Sequence, residues 1–317
     1  MTYQKVDING ITCKLELGKW TIDSLENDLI IAQWKFKLPF ERIKFLAEQL
    51  ISTPFYFESE LPILPKQWLR VRFESFDCVT FLYTVIALSS SISFSDFCQK
   101  LCKVRYKFSE DFFLDNDPKS GNIFDFVEES ILYNCIKRNY LDDITQHLIS
   151  QNKLIEIKVK IKPVTRPAAH DSKTLIITPK YLQAYEARWD FIPTSSLSEI
   201  DIKYLNSGDI ILLSKGEKDS QGQPAISLIS HLAIVIKENN ELFFIHSSKN
   251  YIVDLNIQKN DPIHQQIGVN YGLKFAGDHY TQKVGNKTYY GYLKEQKQSL
   301  ITYAENNFKG ACFLRAK

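Results

Sequence analysis

Two apolar runs separated by Glu238-Asn239-Asn240-Glu241 constrain this chain more than any other stretch. Ser230-His231-Leu232-Ala233-Ile234-Val235-Ile236 and Leu242-Phe243-Phe244-Ile245-His246-Ser247 have the length and composition of buried strands. Asn tolerates positive φ, so Asn239-Asn240 reads as a two-residue hairpin turn. With Glu238 opposite Glu241, His246 falls opposite Ala233, two places from His231 on the same face. Diagonal neighbours of this kind are within reach of long side chains. A three-residue turn would send the two histidines to opposite faces, because side chains alternate along a strand.

Upstream the texture is helical. Phe40, Ile43, Leu46 and Leu50 recur at helical spacing, as do Val79, Leu82, Val85 and Ile86, and then Val127, Ile131, Leu132 and Cys135. Pro54, Pro62 and Pro65 mark a loop between the first two patterns. From about Ile155 strands take over: Ile155 to Ile161 alternates, and Leu175-Ile176-Ile177 and Ile210 to Leu213 are short apolar runs. Gly208-Asp209-Ile210 reads as a turn opening a buried strand. Helices first and a mostly antiparallel sheet afterwards is an α+β order. No repeat or low-complexity linker divides the chain, so a single domain over 1–317 is expected, with elaborations at about 1–45 and about 105–170.

Composition removes several classes of function. With 39 Lys and Arg against 37 Asp and Glu, the net charge of +2 gives no electrostatic footprint for nucleic acid or an anionic membrane. The longest apolar runs, such as Val79 to Leu88, are too short for a membrane span. Met1 to Trp20 holds no continuous apolar segment of the signal-peptide kind. Six cysteines are too few for a disulfide scaffold of this length, and Cys98 and Cys102 share a helical face with Phe94, Phe97 and Leu101. They read as core thiols, and no metal site is expected.

The remaining cysteine motif is different. In Phe76-Asp77-Cys78-Val79-Thr80-Phe81, Asp77 is an N-cap and the helical pattern starts behind it. Cys78 then sits in the first turn, where free N–H groups and the helix dipole favour thiolate and could hold an oxyanion. Taken alone, such a cysteine also reads as simple packing, and each histidine as a core or surface residue. Together, Cys78, His231 and His246 fit nucleophile, base and orienter. Asp254 in place of His246 is an alternative orienter. His147, His170, His264 and His279 have no partner at telling spacing and read as solvent-exposed.

These residues resemble the NlpC-type cell-wall cysteine peptidase superfamily, and within it the N-acetylmuramoyl-L-alanine amidase-like branch. The resemblance rests on Asp77-Cys78-Val79-Thr80-Phe81, Ser230-His231-Leu232-Ala233 and His246-Ser247-Ser248. Thr53-Pro54-Phe55, Val104-Arg105-Tyr106, Asp143-Ile144-Thr145 and Phe191-Ile192-Pro193-Thr194 extend it over roughly residues 45 to 317. Phe55 stands where relatives often have Tyr, with Tyr56 adjacent, and Asn116 to Tyr140 departs from the family's substrate segment. The resemblance implies a papain-like α+β fold, a cysteine-dependent hydrolase without cofactor, and peptidoglycan or muropeptides as substrate, in the periplasm or outside the cell. It implies cleavage of the N-acetylmuramoyl-L-alanine bond by Cys78, His231 and His246, with Asp77, Tyr56, Arg72 and Arg105 on the substrate side. A γ-D-glutamyl-diamino acid endopeptidase and a non-catalytic wall-binding module are the alternatives.

Overall fold

The computed structural model describes residues 3–55, 68–105, 135–136, 139–154, 157–161, 187–218, 224–252, 282–284, 287–296 and 299–317. It is a mixed helix-and-sheet protein, and strands begin earlier than the helical spacing of the first half implies. β1 (Gln4–Ile8) and β2 (Ile11–Glu16) form an antiparallel hairpin around Asn9 and Gly10, at φ 53° and 82°. Asp7 Oδ1 accepts the Gly10 N–H at 2.9 Å and closes the turn. β2 buries Ile11, Cys13 and Leu15 on one face, the alternation of a half-covered strand. β3 (Trp68–Arg72) adds to β2 in parallel and completes a three-stranded sheet.

Four helices are described between Ile22 and Arg105. α1 (Ile22–Lys35) starts at a Thr21–Ser24 capping box, and α2 (Pro39–Gln49) carries proline at its first position, where no N–H is needed. α3 (Cys78–Ser89) is buried from Thr80 to Ser89, as an all-round apolar helix must be. α4 (Phe94–Arg105) packs Phe94, Phe97, Cys98, Leu101 and Cys102 inward. The third helical pattern, from Val127, lies outside the described residues except at Cys135 and Ile136, and so does Leu175-Ile176-Ile177.

The second half forms a nine-stranded sheet in which every described pairing is antiparallel. Its elements are β4 (Leu141–Asp143), α5 (Thr145–Asn152), β5 (Ile157–Ile161), β6 (Ala187–Pro193), β7 (Ile210–Lys218), β8 (Pro224–Glu238), β9 (Glu241–Ile252), β10 (Gln282–Val284), β11 (Lys287–Gln296), α6 (Leu300–Asn307) and β12 (Gly310–Ala316). The spatial order is β10-β11-β9-β8-β7-β12-β6-β5, with β4 on β12. Leu232, Ile234, Ile236 and Ile245 face the core shared with α1–α4 and the N-terminal sheet. Ala233, Val235, Leu242 and Phe244 face a second core with Leu300, Ala304 and Phe308. β8 and β9 pair from Glu238↔Glu241 to Ile234↔Ile245, the register expected of a two-residue turn. Among the described residues no helix is long and apolar enough to cross a membrane.

Gly208 pins the helices to this sheet. Its φ is +96°, and a Cβ there would lie 1.8 Å from the Phe40 carbonyl oxygen of α2. Next to it the buried Asp209 carboxylate takes two Arg315 bonds of 2.7 Å and the Asn206 N–H at 2.8 Å. Gly208→Ala should therefore lower the unfolding free energy by roughly 3 kcal/mol, combining backbone strain with the clash. Gly10→Ala, also at positive φ but with open space around it, should cost only about 1 kcal/mol. Urea midpoints at constant m-value measure both, and equal losses would refute the close-approach argument.

Candidate active site

Cys78 is the first residue of α3, and Asp77 caps the helix from the preceding position. Asp77 Oδ1 accepts the Thr80 N–H at 2.7 Å, and Thr80 Oγ1 accepts the Asp77 N–H at 2.9 Å. Asp77 is thus engaged as the cap of α3. The first turn's other N–H groups have no acceptor within the helix and give its start a partial positive charge beside the thiol.

Two contacts fix the approach to Cys78. Phe76 N–H donates to Pro54 O at 2.9 Å, so the Thr53-Pro54-Phe55 element lies directly against the segment before Cys78. Ser247 Oγ donates to Phe76 O at 2.7 Å and is buried. Ser247 follows His246, so one hydrogen bond joins the histidine strand to the residue two places before Cys78.

The histidines meet. His231 Nε2 and His246 Nδ1 are 2.6 Å apart with their rings nearly perpendicular, at 80°. The pair sits in an aromatic box: Phe308 stacks parallel to His231 at 6.0 Å, Phe244 meets His246 edge-on at 4.8 Å, and Tyr303 packs on both imidazoles at 6.2 and 5.6 Å. Beside His231 the β7–β8 register slips, with Leu213 opposite His231 but Ser214 opposite Ile229. A bulge of this kind re-aims the side chains around it.

Electrostatics follow from this packing. Burial, with a smaller contribution from Lys215, lowers the His231 pKa from 6.5 to about 4, so its imidazole is neutral near pH 7. The Tyr303 hydroxyl is pushed up to about 12, first by burial and then by the charge of Cys78. Tyr303 is therefore electrostatically coupled to the thiol and in ring contact with both histidines. No hydrogen bond joins Cys78 Sγ to His231 among the described residues. Such bonds are often long without substrate and tighten on binding.

Of the other residues expected on the substrate side, Arg72 and Arg105 are among the described ones. Arg72 is buried beside Glu16 and Glu74, at 3.8 and 3.3 Å. Arg105 donates to Arg70 O at 3.2 Å and lies over the Tyr83 ring. The described partners of both guanidinium groups are protein groups. Tyr56 and Asp254 lie outside the described residues, as do His170, His264 and His279, whereas His147 is exposed. Among the described residues no group of three His, Cys, Asp or Glu side chains could hold a metal ion.

Sequence reading had no signal for Tyr303 or Phe308, which stand far along the chain from every motif. Phe308 was reachable indirectly. Thr194, in the Phe191-Ile192-Pro193-Thr194 element, donates its hydroxyl to Phe308 O at 2.8 Å and so holds the ring that stacks on His231.

Comparison with known proteins agrees with this architecture. The family model described as AmiA-like, N-acetylmuramoyl-L-alanine amidase-like, matches residues 56–260. The chain belongs to this amidase-like family. Among solved structures it is similar to an N-acetylmuramoyl-L-alanine amidase from Bacteroides uniformis, at 16% identity and a TM-score of 0.58, over 88% of this chain and 99% of that one. A Legionella pneumophila protein of the DUF1460 family matches at 19% identity and a TM-score of 0.58, over 93% and 94%. A putative xylanase from Bacteroides fragilis matches at 17% and 0.54, over 85% and 98%. At these identities the structures share the fold alone. A search of curated proteins finds no match.

Two measurements test the site. Cys78 is half-buried, whereas Cys13, Cys98, Cys102, Cys135 and Cys312 are buried, and burial raises the Cys102 thiol to about 12. Brief iodoacetamide labelling and peptide mapping should therefore modify Cys78 first. Equal labelling of Cys98 or Cys312 would remove this distinction. The second concerns pH. Unfolded histidine titrates near 6.5, so between about pH 6.5 and about pH 4 the unfolded chain binds a proton that native His231 refuses. Stability should fall through that window on acidification, and His231→Asn should flatten the fall. Identical Tm-versus-pH slopes for the two proteins would rule out the burial of His231 as its cause.

Proposed function

We propose that the chain is a cysteine amidase of papain-like, NlpC-type arrangement that cleaves the amide between the lactyl group of N-acetylmuramic acid and L-Ala in peptidoglycan. The observation that carries this reading is the 2.6 Å contact of His231 Nε2 with His246 Nδ1, on a strand tied through Ser247 to the nucleophile loop. Family membership supplies the substrate class.

In this reading the protons are placed as follows from the histidine contact. With Nε2 of His231 engaged by His246, Nδ1 is the nitrogen left to serve the thiol. Neutral His231 protonated at Nε2 donates that hydrogen to His246 Nδ1 and keeps a lone pair on Nδ1. Cys78 passes its proton to Nδ1 as Sγ bonds to the carbonyl carbon, and first-turn N–H groups receive the developing oxyanion. The C–N bond breaks as His231 returns the proton to the amine of L-Ala. Water, deprotonated by the same nitrogen, then hydrolyses the thioester to the lactyl carboxylate and restores the thiol.

Arg72 and Arg105 act in this reading by holding β3 and α4 ahead of and behind the nucleophile, and Asp77 acts as the cap of α3. Tyr303 and Phe308 keep water from the imidazoles. Residues 1–317 form one catalytic domain, and its substrate places it outside the cytoplasm.

A defined muropeptide should yield a free peptide beginning with L-Ala and an unsubstituted muramyl sugar, read by mass spectrometry. A sugar that retains L-Ala-D-Glu would instead identify an endopeptidase with the same catalytic residues. His231→Ala should lower kcat roughly 100-fold or more with an unchanged fold, because the thiol loses its base. His246→Asn should retain part of the rate, since an amide can still orient the imidazole. Near-native turnover by His231→Ala would end the assignment, and no turnover of wall substrates by the parent protein would leave only the binding-module alternative.

A further inference from the structure

A second cleft opens at the far end of the β8–β9 hairpin, between α2 and the turns before β7 and after β8. Its volume is about 640 Å³, within the roughly 300–1,000 Å³ of small-ligand sites. His231 stands seven residues from Glu238, so the cleft lies about 23 Å along the strand from the histidine pair, at ~3.3 Å per residue. It belongs to a different surface from the catalytic one.

The lining separates into three kinds of group. Phe36, Phe40 and Phe45 supply aromatic walls, and Phe36 leans on Phe45 at 5.3 Å. Every charged side chain there is already engaged: Lys44 pairs with Glu48 at 2.6 Å, Lys237 Nζ donates to Ile202 O and Leu205 O at 2.7 and 3.2 Å, and Glu41 accepts the Leu38 N–H at 3.3 Å. Two lysines against two glutamates leave the lining with no net charge. The side-chain amides of Asn206, Asn239 and Asn240 also line the cleft and make no hydrogen bond among the described residues. Each amide offers both donors and an acceptor.

The cleft is also rigid. Ser207 Oγ accepts the Lys237 N–H at 2.9 Å, and Gly208 packs against the Phe40 carbonyl, so the wall bearing Asn206 is fixed to α2. Aromatic faces, uncommitted amides and balanced charge disfavour an anionic or cationic ligand. They suit a neutral molecule with apolar C–H faces and a rim of hydroxyl and acetamido groups.

We propose that this cleft is a glycan-binding site, taking an N-acetylated oligosaccharide segment remote from the bond that is cut. The choice of glycan rests on the peptidoglycan reading above. Remote binding of this kind would hold the enzyme on polymeric wall without touching the reacting atoms. A contact that is equally strong in the ground and transition states strengthens binding and leaves the chemical step unchanged.

The test titrates the full chain, as a Cys78→Ser variant so that turnover plays no part, with the tetramer of N-acetylglucosamine by calorimetry. Saturable binding is expected, weakened about tenfold in Phe36→Ala and in Asn206→Ala. In the active protein both substitutions should reduce retention on insoluble sacculi while leaving kcat on a soluble muropeptide unchanged. Thermal melts establish that each variant folds, and the milder Phe36→Leu and Asn206→Ser serve if one does not. Absence of saturable binding to the tetramer, equal affinity in parent and variants, or displacement of the sugar by a free stem tripeptide would overturn the proposal. Sugar binding is read without catalysis, so it can fail while the amidase products appear as expected, and the reverse also holds.

Discussion

The turn at Asn239 and Asn240 decides which side of the sheet every residue of β8 and β9 occupies. Both asparagines adopt positive φ, 48° and 62°, as a two-residue turn with right-handed strand twist requires. One residue more in that turn would carry His246 into the shared core and leave His231 alone. The same parity puts Ser247 on the opposite face from His246, toward Phe76 and the start of α3. A single local backbone choice therefore pairs the histidines and connects their strand to the segment before Cys78.

Desolvation gives that pairing its chemical character. Aromatic rings from α6 and the segment before β12 pack on His231, and loss of water disfavours its charged form. A neutral His231 keeps a lone pair on one ring nitrogen, and the 2.6 Å contact with His246 engages the other. The ring that stacks on His231 is itself held by Thr194, whose hydroxyl occupies the Phe308 carbonyl. Orientation is thus inherited through a chain of buried hydrogen bonds, each costly to leave unmade.

The N-terminal hairpin contributes to the same end from the other side. Glu16 is buried on β2, bonded by Lys14 at 2.5 Å and flanked by Arg70 and Arg72 at 3.6 and 3.8 Å. Its backbone carbonyl accepts the N–H groups of Phe73 and Glu74 at 2.8 and 3.0 Å. Buried ion pairs are weak sources of net stability but strong determinants of arrangement, because breaking one strands a charge. Here the arrangement they specify is the segment that leads into Asp77 and Cys78.

Local chemistry is what the sequence could express. Asp77 before an apolar helix fixed the cap and placed Cys78 at a helix start, and an Asn-Asn turn between matched strands fixed the histidine register. Both depend on dihedral preferences and side-chain periodicity within a few residues. Asn9-Gly10 between short alternating runs carries the same kind of local signal for the β1–β2 hairpin. The engagement of Arg72 with Glu16 and Glu74, the contact of Ser247 with Phe76, and the enclosure of His231 by Tyr303 and Phe308 were beyond any spacing rule. They join residues tens to hundreds of positions apart, and burial is a property of the packed whole. The sequence by itself determined that Cys78 opens a helix and that His231 and His246 share one face of a hairpin, because both follow from local dihedral preference and side-chain alternation. Only the tertiary structure decided which arginines are enclosed, which rings pack on the histidines, and hence that the His231 imidazole is neutral near pH 7.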